Sequence, residues 1–92
     1  MRIRWTPSAV GDLIQISDYI SEHDGAALAR RVALTIYEGV NSLARFPHLG
    51  RVGRKSETRE LPLQGLPYLA IYRVRSEVVE IIRILHGAQR WP

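Results

Sequence analysis

The run at residues 78–85, Val-Val-Glu-Ile-Ile-Arg-Ile-Leu, restricts the possible folds more than any other stretch. It is too rich in β-branched side chains for a good helix and is apolar on both faces. That combination defines a central strand covered on at least one side. An arginine inside such a run is costly unless its guanidinium reaches water or a partner, so Arg83 needs a structural reason. The strand stops at His86-Gly87, and Ala88-Gln89-Arg90-Trp91-Pro92 follow.

A central strand needs neighbours, and the rest of the chain supplies them. Arg2-Ile3-Arg4-Trp5 alternates polar with apolar and is cut off by Thr6-Pro7, which reads as a short strand and then a helix capped by Thr6 with proline in its first turn. Ala9, Leu13, Ile16 and Ile20 recur at helical spacing on one stripe. His23-Asp24-Gly25 breaks that helix, and Asp24 is positioned to cap the next. The spacing of Ala29, Val32, Ile36, Val40 and Leu43 predicts a second helix over 26–46, ended by Pro47. Gly39 inside it costs about 1 kcal/mol relative to alanine, which points to close packing there. The pair forms an antiparallel helical hairpin whose stripes need a sheet. After a basic, glycine-punctuated loop at 46–55, strands are expected at 57–63, 68–74 and 78–85, with Pro62 at an edge or bulge. The expected fold is therefore α+β: an N-terminal strand, a two-helix hairpin and a C-terminal three-stranded antiparallel meander, in one domain spanning 1–92.

Composition removes several classes of function. Cysteine is absent, which excludes a disulfide scaffold, thiol catalysis and cysteine-ligated metal. His23, His48 and His86 are too scattered for a metal site, and none of the glycines falls in a phosphate-loop pattern, so no cofactor or metal is expected. No stretch approaches the roughly 20 apolar residues of a membrane span, and the start lacks signal-peptide features, so a reducing cytoplasm is the expected location. Thirteen Lys and Arg against nine Asp and Glu give a net charge of +4, and all but Lys55 of the cations are arginine. Such a surface favours bidentate contacts with phosphate or carboxylate.

Several short motifs, in order, resemble the ParE branch of the RelE/ParE superfamily of type II toxin–antitoxin toxins. They are Trp5-Thr6-Pro7 with Ala9, Asp12-Leu13 with Ile16 and Tyr19-Ile20, Phe46-Pro47 with Leu49-Gly50-Arg51, Thr58-Arg59-Glu60-Leu61, Tyr72-Arg73-Val74, and Ile84-Leu85-His86-Gly87-Ala88-Gln89-Arg90-Trp91-Pro92. The resemblance spans essentially the whole chain. It implies a small sheet packed on a helical hairpin, a cognate ParD-like antitoxin that wraps the toxin, operator DNA reached only through that antitoxin, and a role in plasmid stabilization. An open sheet edge would suit an antitoxin strand, and the groove along the hairpin an antitoxin helix.

The superfamily holds two unlike activities. ParE-type members inhibit DNA gyrase by binding. RelE-type members resemble metal-free ribonucleases that cut mRNA on the ribosome, with arginines stabilising the phosphate and an acid and base moving protons. For the second activity the resemblance singles out Arg59, Arg73, Arg83 and His86. For a surface that meets the target or the antitoxin it singles out Arg51, Arg54, Arg59, Arg73, Arg83 and Arg90. The ParE-like ending and the absence of tyrosine after His86 favour gyrase inhibition. The tyrosines at 19, 37, 68 and 72 sit in apolar patterns as packing residues, and Trp91 is expected to pack against the sheet or helices. A co-repressor without toxicity fits less well, because the toxin motifs are intact. The simpler reading of Arg73 and Arg83 is that their stems cover apolar surface while their heads pair with Glu80, Glu60 or antitoxin acids. Register decides whether they share a face: a three-residue connection Arg75-Ser76-Glu77 aligns them, with Arg59, Leu61, Ile71, Ile81 and Leu85 beside them, and a two-residue turn separates them.

Overall fold

Thr6 does what its position in the sequence requires. In the computed structural model, which describes residues 1–87, its hydroxyl accepts the Ala9 N–H at 3.2 Å and Pro7 opens the first helix. The elements are β1 (Arg2–Trp5), α1 (Pro7–Asp24), α2 (Ala26–Asn41), a 3-10 turn (Ser42–Ala44), β2 (Arg51–Val52), β3 (Arg59–Pro62), β4 (Tyr68–Arg75) and β5 (Val78–His86). Gly25, at φ 97°, separates the helices without a side-chain cap, while Asp24 remains in α1. The second helix is shorter than its apolar spacing implies. Beyond Asn41 the chain tightens, and the Ser42 hydroxyl donates to the Gly39 carbonyl at 2.6 Å.

The sheet corrects the expected architecture. It has five strands in the order β1-β5-β4-β3-β2, and β1 runs parallel to β5, so it is a mixed sheet rather than a three-stranded antiparallel meander with a strand apart. The first and last strands are neighbours although more than seventy residues separate them. Alternation in Arg2-Ile3-Arg4-Trp5 reveals a strand with one buried face, but carries no information about which strand it joins or in what direction. At the other edge, β2 is two exposed residues paired with β3, too short for any periodic signal.

The core lies between the helices and one face of the sheet. Ile36, Val40 and Leu43 are fully buried against Tyr72, Val79 and Ile81, with Ala9 from α1 completing the contact. Adding a Cβ at Gly39 would bring it to 2.8 Å from a Leu63 methyl, which agrees with the close packing inferred there. Tyr72 belongs to the core and Tyr68 packs on it. Tyr19 and Tyr37, however, are 60% and 50% exposed, so their apolar surroundings in sequence misrepresented them.

The β4–β5 hairpin sets the geometry that matters for function. Ser76 and Glu77 form a two-residue turn at φ 52° and 61°, with Arg75 opposite Val78. Left-handed backbone at both turn positions matches the twist of the flanking strands. Pairing continues to Tyr72↔Ile81 and then shifts to Ile71↔Arg83, which leaves Ile82 as the extra residue of a β-bulge. Before the bulge, Val79 and Ile81 face the helices; after it, Ile84 does. One inserted residue thus changes the face on which everything beyond it points.

Candidate functional site

The face of the sheet away from the helices carries a concentrated set of arginines. Ile3 and Trp5 pack on the core, so Arg2 and Arg4 of β1 project from the opposite face. Register brings Arg2, Val78 and Arg75 into one row across β1, β5 and β4, and Arg4, Glu80 and Arg73 into the next. Glu80 bridges its two neighbours: Arg73 Nε donates to Oε1 at 2.6 Å and Arg4 Nη1 donates to Oε2. The Arg73 hydrogen bond, reinforced by the charges of Arg73, Arg4 and Arg75 and opposed by partial burial, holds the Glu80 carboxyl below the usual carboxylate range. Arg75 reaches the exposed Glu57 at 3.7 Å. A cleft of about 270 Å³ opens beside Glu80, lined by Arg4, Arg73 and Lys55 with Thr6, Ser56 and Thr58.

Arg83 belongs to a different arrangement. By pairing it shares the outer face with Ile71 and Arg73, because the bulge restores the alignment that the two-residue turn had removed. Its guanidinium nevertheless turns round the β5 edge to α1, where Nε and Nη2 donate to the two carboxylate oxygens of Asp12 at 2.7 and 2.9 Å. Asp12 also accepts the Ile84 N–H at 2.9 Å. This is the backbone donor left free where β1 ends and α1 takes over the flank of β5. The Asp12 hydrogen bond raises the Arg83 pKa above its ordinary value, against a smaller opposing effect of burial.

His86 starts from the other side. It pairs with Tyr68, and their rings meet edge to face at 5.8 Å. Because Arg83 wraps round the edge, both line a cleft of about 540 Å³ between α1 and β5, together with Asp12, Gln15, Tyr19 and Pro67. Side-chain reach therefore brings Arg83 and His86 together although their backbone positions point to opposite faces of the sheet.

The remaining arginines disperse. Arg59 pairs with Tyr72 and Leu61 with Ala70, on the helix side, so neither joins Arg73 and Arg83 in one patch, and Ile81 is also on the helix side. Arg59 Nη1 donates instead to the Gly50 carbonyl at 2.8 Å, over a loop that the Tyr72 hydroxyl pins from below. That hydroxyl accepts the Gly50 N–H at 2.8 Å and donates to the Pro47 carbonyl at 2.8 Å. Burial raises the Tyr72 pKa, against the opposing effects of the Gly50 hydrogen bond and the Arg59 charge. Arg51 and the Arg54 N–H both reach the buried Glu60 at 3.3 Å, which leaves the basic loop partly neutralised. Arg90 and Trp91 lie outside the described residues.

Three residues take part that the sequence does not mark as site residues. Asp12 looked like one more polar residue off the α1 stripe, and nothing local links it to Arg83. Arg2 and Arg4 were legible as the polar half of an alternation, but only the parallel pairing brings them beside Arg73. Among the described residues no group of histidine and carboxylate side chains could hold a metal, and no helix is long and apolar enough to cross a membrane.

A mixed sheet on a helical hairpin, with a basic outer face, is the form of a small toxin of the RelE/ParE kind, and the comparisons agree. The model of the family "ParE toxin of type II toxin-antitoxin system, parDE" matches residues 3–91, and the chain belongs to that family. Among its relatives is the protein named "Putative toxin Y4kP" of Sinorhizobium fredii, 46% identical over 99% of this chain and 93% of that protein. Toxin RelE2 of Caulobacter vibrioides is 38% identical over 96% and 97%. A solved chain of the chromosomal ParDE toxin–antitoxin system from P. aeruginosa superposes with a TM-score of 0.87 at 30% identity, covering 94% of this chain and 95% of that one.

Proposed function

We propose that this toxin acts by binding, with DNA gyrase as its target, and that a cognate ParD-like antitoxin holds it inactive and carries its contact with operator DNA. The observation that supports binding over bond cleavage is the commitment of the nuclease-type arginines to partners within the protein. Arg59 is tied to the Gly50 carbonyl, Arg73 to Glu80 and Arg83 to Asp12. With Arg83 held by both carboxylate oxygens of Asp12 and Arg59 turned to the helix side, the three do not converge on one point where a cleaving phosphodiester would develop charge. The likeness to a chain of a ParDE toxin–antitoxin system supports the antitoxin partner.

The test is a supercoiling assay with purified gyrase and increasing toxin, repeated with the antitoxin added first. The expected result is loss of supercoiling that the antitoxin restores; full supercoiling at saturating toxin rejects the target.

A ribosome-dependent ribonuclease is the second reading. The cleft shared by Arg83 and His86, a cation beside an imidazole, favours it, as does the likeness to a relative named RelE2. Codon-dependent mRNA cleavage that is lost in both Arg83→Ala and His86→Ala would establish it. Cleavage that survives both would put the nuclease centre elsewhere.

A further inference from the structure

The outer end of the sheet carries a group of arginines that stands apart from the cleft shared by Arg83 and His86. Arg2 and Arg4 stand two residues apart on β1, and Arg73 and Arg75 two apart on β4, with β5 between them. Strand geometry makes this a rectangle of roughly 7 by 10 Å with an arginine at each corner. Glu80 lies inside it, on the row joining Arg4 to Arg73.

The charges do not cancel. Four arginines face Glu80 and the loop residue Glu57, and Lys55 lines the adjoining cleft; Glu77 in the hairpin turn is the remaining acid at that end of the sheet. Among the described residues Arg2 has no acidic partner, and the Arg75–Glu57 contact is long and exposed on both sides. Arg4 and Arg73 share a single carboxylate, an arrangement in which an incoming oxyanion can take over one guanidinium while Glu80 keeps the other.

The surface is also short of what a protein partner needs. Stable protein interfaces centre on clusters of apolar or aromatic anchors, and among the described residues this face offers Val78 between the arginines and Ile82 in the adjoining cleft, two aliphatic side chains without an aromatic. Among the described residues no aromatic side chain lines either cleft on this face, so unstacked bases find no platform in them. A ligand recognised by charge alone, with its bases already stacked, is duplex nucleic acid contacted through its backbone. Its phosphates follow one another at about 3.4 Å of helix axis per strand, which lets the roughly 7 Å side of the rectangle meet two of them.

We propose that the Arg2, Arg4, Arg73 and Arg75 face binds the phosphate backbone of duplex DNA without reading its sequence. This contact is direct, unlike the antitoxin-borne one, and does not depend on gyrase being the target.

The experiment is fluorescence anisotropy of the full-length toxin with a labelled 20-base-pair duplex of mixed sequence, at 50 and 200 mM salt and with no topoisomerase present. About three neutralised phosphates predict roughly 40-fold weaker binding at the higher salt. Arg4→Ala with Arg73→Ala should leave about one contact and reduce that loss to roughly 4-fold. Arg2→Ala with Arg75→Ala, both at exposed positions, should act in the same direction and guards against misfolding of the first pair. Glu80→Gln releases two guanidinium groups and should tighten binding several-fold at 50 mM. Arg30→Ala with Arg31→Ala removes the same charge from the exposed side of α2 and should change nothing. An equal loss in that control, a preference for the single strand, equal displacement by poly-glutamate of matched charge, or no binding at 50 mM would each overturn the proposal.

Discussion

Asp12→Ala tests the clamp that joins α1 to the free flank of β5. Asp12 accepts three hydrogen bonds, two from the Arg83 guanidinium and one from the Ile84 N–H. The two kinds carry different weight. The Arg83 side chain is 36% exposed, so on losing its partner the guanidinium is rehydrated, and its share falls to roughly 1 kcal/mol. Ile84 is 2% exposed, and an amide stranded in that position costs about 1–3 kcal/mol. Together they predict a loss of about 3 kcal/mol, which for a chain of 92 residues lowers Tm by roughly 10–20 °C. Asp12→Asn keeps an acceptor for the amide and should lose only about 1 kcal/mol. Thermal unfolding followed by circular dichroism, with Arg83→Ala and the double variant completing a cycle, separates the two contributions. A drop in Tm below about 4 °C for Asp12→Ala would refute the clamp. Equal losses in Asp12→Asn and Asp12→Ala would refute the assignment of the larger share to the amide.

Two further perturbations follow from the same geometry. Tyr72→Phe strands the Gly50 N–H and the Pro47 carbonyl, and should cost about 1–3 kcal/mol in urea unfolding with an unchanged m-value; Gly50→Ala, whose Cβ would lie 2.7 Å from the Tyr72 ring and 3.0 Å from the Glu60 carbonyl, should be destabilised as well. Glu80 has a depressed pKa in the folded state, so its contribution is complete above the unfolded value of about 4.3 and is lost as pH falls through the lower folded value. Stability measured from pH 6 down to pH 2 should therefore fall less steeply in Glu80→Gln than in the parent, and parallel curves would mean that the Arg73 and Arg4 contacts contribute nothing.

The elements legible in the chain are those whose signals are local. Thr6 and Pro7 marked the start of α1, because capping and a missing N–H are properties of neighbouring residues. The apolar spacing from Ala29 to Leu43 identified the buried face of α2, although that spacing continues past Asn41 where the helix itself does not. The partner of Arg73 was in reach, since Glu80 lies across a short hairpin. The tyrosines show the limit of pattern: Tyr19 and Tyr72 occupy similar apolar surroundings in sequence, yet one is exposed and the other has no exposed surface.

The amino-acid sequence alone determined that two amphipathic helices would cover a sheet ending in the 78–85 strand, and that the closing motif belongs to a toxin family. Only the tertiary structure decided which strands touch and which arginines meet. The β1–β5 pairing joins residues at opposite ends of the chain, and its parallel direction leaves no trace in alternation. The bulge at Ile82 is a single unpaired residue in a uniformly apolar run, so no periodic signal announces it, yet it sets the face of Arg83. Asp12 then draws that arginine round the strand edge, because α1 lies where β1 stops and an unpaired amide and a guanidinium can share one carboxylate. A contact between residues 12 and 83 is a property of the folded chain's geometry, and local sequence has no means of encoding it.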